Sequence, residues 1–474
     1  MRRVLPLLFA LAAPLATPLA AQSTLTAHQQ LARAVYKELV EINTVDSVGS
    51  TTRAAQAMAA RFRAAGFPAA DVRVLVPQGK PSKGNLVVRY RGRGQGKPIL
   101  LLAHLDVVAA NRSDWPRDPF VLHEENGYFL GRGTADDKAM AAMFVANLLK
   151  WKREGWTPDR DLVLALTADE EGGDANGVSW LLANHRPLIE AAYAINEGGG
   201  GTLDGPGPDA RPLFHSIQAA EKVYTDYALS VANTGGHSSV PRADNAIYRL
   251  AEALGRLSRF RFPVALNPVT RGFFEETAKV EPRAEMAAAM RALVANPGDS
   301  AAAATLSRDD RYASMLRTTC VATRLGGGHA NNALPQMATA NVNCRIAPTS
   351  GSEETMRVLT GVFADTAVHV RMLEAPRVGV APSAIEPAVL SEARALTKQM
   401  FGDIPVIPTM STGATDGRQL REAGIPTFGV SGIFSSPGET NSHGRDEKLR
   451  VRSFYQGLDF LDQLVRRLAG APRT

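Results

Sequence analysis

The amino-acid sequence predicts an α/β sandwich: a mixed, largely parallel sheet covered by helices, with a smaller α+β domain of ferredoxin-like order inserted into it. Three observations carry this prediction. The runs 98–103 and 162–167 are continuously apolar rather than alternating, as strands buried on both faces are. Strand-like and helical segments alternate up to about residue 218 and again from about 376, the order that builds parallel sheets. Between them the order becomes strand, helix, strand, strand, helix, strand, which belongs to a separate α+β unit.

The chain opens with two arginines, a short apolar core and a small-residue end, the pattern of a secretory leader over 1–21 cut near Ala21. Prolines at 14 and 18 interrupt the apolar run, which falls short of the roughly 18 residues a membrane anchor needs. A soluble product, secreted or periplasmic, is expected. The first part of the larger domain, 22–218, carries helical periodicity at 28–42 (Leu31, Val35, Leu39) and 52–66 (Ala55, Met58, Phe62). Strands are predicted at 72–76, 85–90 and 98–103, then a loop containing Trp115, a hairpin at 121–130, a helix at 140–151, a strand at 162–167, a helix at 177–185 and a strand at 191–195. A Gly/Pro-rich loop over 198–208 comes next.

The inserted domain, 219–375, holds an alternating strand at 224–232, a helix at 245–257, an Ala-rich stretch at 284–304, two β-like runs around Cys320 and Cys344, a helix at 353–363 and a strand at 368–373. The segment 260–318 reads as an enlargement of this domain, able to block or extend a dimer edge. The second part of the larger domain, 376–474, resumes with helices at 388–400, 417–423 and 453–468 and strands at 404–409 and 427–431. With 474 residues there is enough chain for two sizeable cores. The net charge of +6 is scattered, with no Lys/Arg-rich run, which argues against a nucleic-acid surface. Cys320 and Cys344 are the two cysteines. An oxidising compartment allows them to pair if their runs form an antiparallel pair, and two buried thiols fit equally.

The chemistry gathers at strand ends. The run at 98–103 stops on His104 and Asp106, where a histidine can bind a metal through one ring nitrogen while a carboxylate fixes its tautomer. Gly131-Arg-Gly-Thr-Ala-Asp136-Asp137-Lys138 opens a helix, Asp169-Glu170-Glu171-Gly-Gly closes a strand, Glu197 closes another, and Asn441-Ser-His443-Gly comes late. In α/β sheets, ligands sit at the carboxyl ends of strands. Carboxylates converging there would repel one another, and a cation resolves the conflict. Oxygen and imidazole donors without thiolates suit zinc, cobalt or manganese. Five candidates also suit two metals sharing one carboxylate. Glu170 and Glu171, adjacent at a strand end, point in different directions, so one can ligate while the other reaches a water.

With these motifs in this order, the chain resembles the M20 metallopeptidase family, in particular its carboxypeptidase S-like and N-acyl-amino-acid hydrolase branch. The resemblance implies a zinc-peptidase-like catalytic domain and a lid. It implies that His104, Asp136 and Glu197 hold one divalent ion and Asp136, Glu171 and His443 a second, most simply Zn2+ with Co2+ or Mn2+ as alternatives. Asp106 would orient His104, and Glu170 would be the general base. Thr234-Gly-Gly-His237 resembles the family's lid histidine, which stabilises the oxyanion, while Asn332 and Arg345 resemble its substrate-carboxylate positions. Two departures stand out: Asn196 precedes Glu197 where the family often has aspartate, and Ala139 replaces a glycine. The implied activity is hydrolysis of an amide bond in peptides or N-acyl amino acids, by a carboxypeptidase or dipeptidase. An aminopeptidase of the same family and an inactive binding relative are the alternatives, and a homodimer through the lid domain is a possible assembly. Side-chain preference and native metal stay open.

Overall fold

The strands Ile99–His104 and Leu162–Thr167 are buried at every position. A strand apolar on both faces must be covered on both, and these two pair in parallel near the centre of a ten-stranded sheet. The computed structural model describes residues 25–384 and 387–470, so the leader expected over 1–21 lies outside the described residues. Across the sheet the order is Val72–Leu75, Asn85–Tyr90, Leu162–Thr167, Ile99–His104, Tyr193–Asn196, Thr427–Gly429, Pro212–Glu221, Gly200–Leu203 and Phe434–Ser435. Val406–Ser411 branches off, parallel to Pro212–Glu221. The Gly/Pro-rich stretch expected as a loop thus contains one of these strands, Gly200–Leu203, paired antiparallel with Pro212–Glu221.

Helices cover both faces. On one side Ala27–Glu41, Lys138–Glu154 and Val451–Ala469 pack together around Tyr36, Phe129, Phe144, Trp151 and Phe454. The first of these begins at a capping box in which Thr26 and Gln29 satisfy each other's backbone N–H groups. On the other side Gly177–Ile189 and Gly417–Glu422 cover Leu100, Leu102, Val163 and Ala194.

The inserted domain is a four-stranded antiparallel sheet in the order Thr319–Gly327, Met337–Ile346, Val223–Ala232, His369–Met372. Ala246–Arg259 and Ser352–Phe363 pack on one face, around Leu250, Leu257, Leu359 and Phe363. Cys320 stands opposite Cys344 in register, and the two form a disulfide. One expectation is corrected: the segment 260–318 does not enlarge this domain's core. Its helices Pro268–Thr277, Ala284–Ala295, Ser300–Leu306 and Asp310–Leu316 send Phe273, Phe274, Met290, Leu293 and Leu316 into the core of the larger domain. The reason is Val406–Ser411, whose buried Ile407 and Met410 need a cover that Pro268–Thr277 supplies.

On Pro212–Glu221, His215 is fully buried among the rings of Phe401, Phe434 and Phe460. Its Nδ1 lies 2.7 Å from Thr397 Oγ1 and its Nε2 2.5 Å from the Ser431 carbonyl. Burial pushes its pKa down to about 4, whereas an unfolded chain titrates a histidine near 6.5. The unfolded state therefore takes the proton first, so this group's contribution is full above about pH 6.5 and is lost as the pH falls toward 4. In urea unfolding at pH 7.5 and 4.5, the wild type should lose about 2–3 kcal/mol more than a His215→Leu variant does. Equal losses would show that His215 does not resist protonation.

Candidate metal centre and lid face

Parallel pairing sets the site. Because His104 stands opposite Thr167, and Leu101 opposite Ile195, the strands Ile99–His104, Leu162–Thr167 and Tyr193–Asn196 end side by side. The residues just beyond those ends, Asp106, Glu170, Glu171 and Glu197, are delivered to one crevice. The loop before Lys138–Glu154 brings Asp136, and the loop before Lys448–Arg450 brings His443.

Asp136 is the centre of this arrangement. Its Oδ1 lies 3.0 Å from His104 Nε2, which is 3.9 Å from Glu197 Oε2. Its Oδ2 lies 3.3 Å from His443 Nε2, which is 2.9 Å from Glu171 Oε2. One carboxylate thus faces two separate His/Glu pairs, one with each oxygen. Atoms of His104, Glu170 and Glu197 also come within 4.8 Å of one another. Asp106 holds His104 differently from the expectation: its main-chain carbonyl is 3.0 Å from His104 Nδ1, and its carboxylate Oδ1 is 3.7 Å away. The other oxygen, Oδ2, accepts the Glu171 backbone N–H at 2.9 Å, so this side chain also fixes the loop that carries both glutamates.

The electrostatics say what the crevice lacks. Burial pushes Asp136 up, but hydrogen bonds from His104 and His443 outweigh it and hold the carboxyl below its usual range. At the other acids burial outweighs the attraction of the histidines. Burial raises Glu170 to about 9 and Glu171 to about 7, and drives Glu197 well up. The charge on Asp136 adds to the rise at Glu171 and Glu197. His443 is raised to about 9, first by its hydrogen bond to Asp136. Two imidazoles cannot neutralise five converging carboxylates. Divalent cations can, and the all-oxygen and nitrogen donor set fits zinc, cobalt or manganese. His104, Asp136, Glu171, Glu197 and His443 are the residues able to hold them.

Three supports were not singled out from sequence. Arg132 and Glu447 form a buried ion pair at 2.7 Å between two chain segments far apart in sequence. Glu447 also accepts the backbone N–H groups of Gly133, Ala135 and Asp136 at 3.1, 2.8 and 3.1 Å. Arg132 donates to the carbonyls of His443 and Gly444 and stacks on Trp115. Both residues lie inside the motifs around Asp136 and His443, which was the available signal. Asp416, at the turn after Val406–Ser411, is buried and accepts from Thr167 Oγ1 at 3.1 Å and Asn176 Nδ2 at 2.7 Å, behind the loop that carries Glu170.

The remaining three residues lie on the inserted domain, away from this cluster. Among the described residues no hydrogen bond or ion pair joins them to it. His237 and Asn332 meet on an exposed two-stranded ribbon, where Gly236–His237 pairs with Ala333–Leu334 and the Ser238 N–H donates to the Asn332 carbonyl at 3.1 Å. The Ser239 N–H donates to His237 Nδ1 at 3.2 Å, so a neutral ring carries its proton on Nε2. Arg345 sits on Met337–Ile346, on the sheet face opposite the helices. Asn196, the departure before Glu197, turns from the cluster and donates to Thr415 Oγ1 at 3.3 Å.

Replacing Arg132 with methionine leaves Glu447 buried without its cation. Such a loss costs about 3–5 kcal/mol, and urea unfolding should read a drop of that size together with weaker retention of divalent metal. A change under about 1 kcal/mol with metal retained would remove this pair from the account of the site.

A family description, peptidase family M20/M25/M40, matches residues 100–467. The chain is 28% identical over 378 residues to the N-fatty-acyl-amino acid synthase/hydrolase PM20D1 of Homo sapiens, covering 78% of this chain and 74% of that one. It is 28% identical over 399 residues to the probable carboxypeptidase S-like 2 of Dictyostelium discoideum, covering 81% and 74%. The crystal structure of the M20 family metallo-carboxypeptidase Sso-CP2 from Sulfolobus solfataricus superposes with a TM-score of 0.67 at 17% identity, over 92% of this chain and 98% of that one. A crevice of strand-end acids and histidines, a ferredoxin-like insertion and a match over most of the chain lead to one conclusion: the chain belongs to the M20 family of peptidases and is an enzyme of that family.

Proposed function

We propose that the chain is a two-metal amidohydrolase that cleaves the amide bond next to a free carboxylate, in N-acyl amino acids and at the C-terminus of small peptides. The observation that carries the reading is Asp136, whose two oxygens face His104 with Glu197 and His443 with Glu171. These two sets would hold zinc, with cobalt or manganese able to replace it. When bound, such cations supply Lewis acidity and bring the pKa of a water toward neutrality.

The chain's own residues do the rest. Glu170 lies within 4.8 Å of His104 and Glu197 in the crevice, and among the described residues its carboxylate forms no hydrogen bond. It takes a proton from the attacking water and returns it to the leaving amine. His237 offers its Nε2–H to the oxyanion as the inserted domain closes, with Asn332 beside it. Arg345 pairs with the substrate carboxylate through two parallel N–H groups. The two relatives named for fatty-acyl-amino acids and for carboxypeptidase action support this reading, since both kinds of substrate present an amide next to a carboxylate. The leader expected from the sequence over 1–21 and the Cys320–Cys344 disulfide support action outside the cytoplasm.

Glu170→Gln should lower kcat by about 10²–10⁴-fold while plasma mass spectrometry still finds two metal ions per chain; near wild-type turnover would remove Glu170 as the base. A second experiment tests the substrate class. The zinc-loaded protein, offered a free dipeptide, its N-acylated form and its C-amidated form, should cleave the first two and spare the third. Cleavage of the amidated but not the acylated peptide would make it an aminopeptidase instead.

A further inference from the structure

We infer that Tyr224 and Asp226 are positioning residues that keep the Arg345 guanidinium open for a substrate carboxylate, so that selection for the free carboxylate is built into the floor of the inserted sheet. The inference rests on the proposed reading of Arg345 and goes beyond it. Along Val223–Ala232 burial alternates, with Val223, Thr225 and Tyr227 turned to the helices and Tyr224 and Asp226 to the opposite face. Register then sets Arg345 beside Tyr224 and Asn343 beside Asp226. The guanidinium carbon of Arg345 lies 4.7 Å from the centre of the Tyr224 ring. The tyrosine cannot swing away, because its hydroxyl donates to Asp226 Oδ2 at 2.5 Å.

The decisive feature is what Asp226 does not do. A carboxylate this close to an arginine ordinarily takes it as an ion-pair partner. Here Asp226 Oδ1 accepts the side-chain N–H groups of Asn341 and Asn343 at 2.8 and 3.0 Å, while Oδ2 is taken by Tyr224. Neutral donors fill the acid, and among the described residues Arg345 has no carboxylate hydrogen bond. Its charge is held by an aromatic face, which orients a guanidinium without consuming its N–H fork. Tyr224, Asp226, Arg324, Asn341, Asn343 and Arg345 line one cavity of about 440 Å³.

This platform stands where the inserted sheet joins the main one. Glu221 closes a main-sheet strand, Lys222 comes next, and Val223 opens the first strand of the insertion. Thr415 Oγ1 accepts from Asn196, the neighbour of Glu197, and donates to Glu221 at 2.8 Å. The strand that carries Tyr224 is therefore tied at its start, through Glu221 and Thr415, to Asn196 beside Glu197.

The test is a comparison of Tyr224→Leu, Tyr224→Phe, Asp226→Asn and Arg345→Ala in the full chain loaded with zinc, using an N-acyl amino acid as substrate. Tyr224→Leu should raise KM by about 3- to 10-fold with kcat within twofold, as expected for loss of an aromatic–guanidinium contact. Tyr224→Phe restores the ring and should recover most of the increase, a rescue that a merely structural role would not show. Asp226→Asn, which like Tyr224→Phe keeps the ring and loosens its tether, should fall between the wild type and Tyr224→Leu. If Arg345→Ala raises KM but Tyr224→Leu leaves it within twofold, or Tyr224→Leu lowers kcat at constant KM, the positioning role is overturned and the carboxylate reading survives. If Arg345→Ala itself leaves KM unchanged, the carboxylate reading falls with it. Should Asp226→Asn fail to fold, the leucine and phenylalanine pair at 224 still decides.

Discussion

The buried pair of Arg132 and Glu447 is the constraint on which the crevice depends. Each member reaches the other's loop as well as its partner: Glu447 gathers the backbone N–H groups leading up to Asp136, and Arg132 gathers the carbonyls of His443 and Gly444. Asp136 and His443, drawn from the two parts of the larger domain, therefore cannot move independently. A buried ion pair contributes little net stability against well-packed apolar residues. Its value here is placement. The loop it fastens is held from beneath as well, since Tyr36 donates to the Thr134 carbonyl and the buried Lys138 donates to the Ile42 carbonyl.

Around that fixed loop, two kinds of sheet supply two kinds of group. Parallel strands covered on both faces end on one line, so the residues just beyond their ends converge, and in this chain those residues are acidic. The cost is visible in Glu170, Glu171 and Glu197, all pushed toward the neutral form by burial and by the acids around them. A crevice of that kind is built for cations. The antiparallel inserted sheet works by opposition instead, setting Tyr224 against Arg345 and Asp226 against Asn343. On the proposed reading the larger domain is arranged around positive ions and the smaller one around a negative group, with Glu221 and Lys222 at the passage between them.

How much of this was legible depends on whether the signal is local. The runs ending at His104, Thr167 and Asn196 announce parallel central strands because burial on both faces forbids polar alternation, and the acids after them announce a cluster. The ferredoxin-like order of the insertion is equally legible, since alternation in 224–232 and the periodicity of 245–257 are local patterns. The helices of 260–318 were not, because apolar periodicity says that a face is buried without saying against what. Phe274 and Met290 belong to the larger core only because Val406–Ser411, far along the chain, lies uncovered. The strand Gly200–Leu203 was hidden by a glycine and proline content that reads as loop.

The sequence by itself determined the class of sheet, the insertion, the family and the set of acids and histidines gathered for metal, because periodicity and motif spacing are properties of neighbouring residues. Tertiary structure alone decided three things about the crevice. It divided the two oxygens of Asp136 between His104 and His443, it turned Asn196 away from the crevice while Glu197 entered it, and it paired Arg132 with Glu447. On the inserted sheet it left Arg345 on an aromatic face with the nearby acid already filled. Each is a distance between atoms brought together by strand pairing or by a buried ion pair, and no local pattern along the chain encodes such a distance.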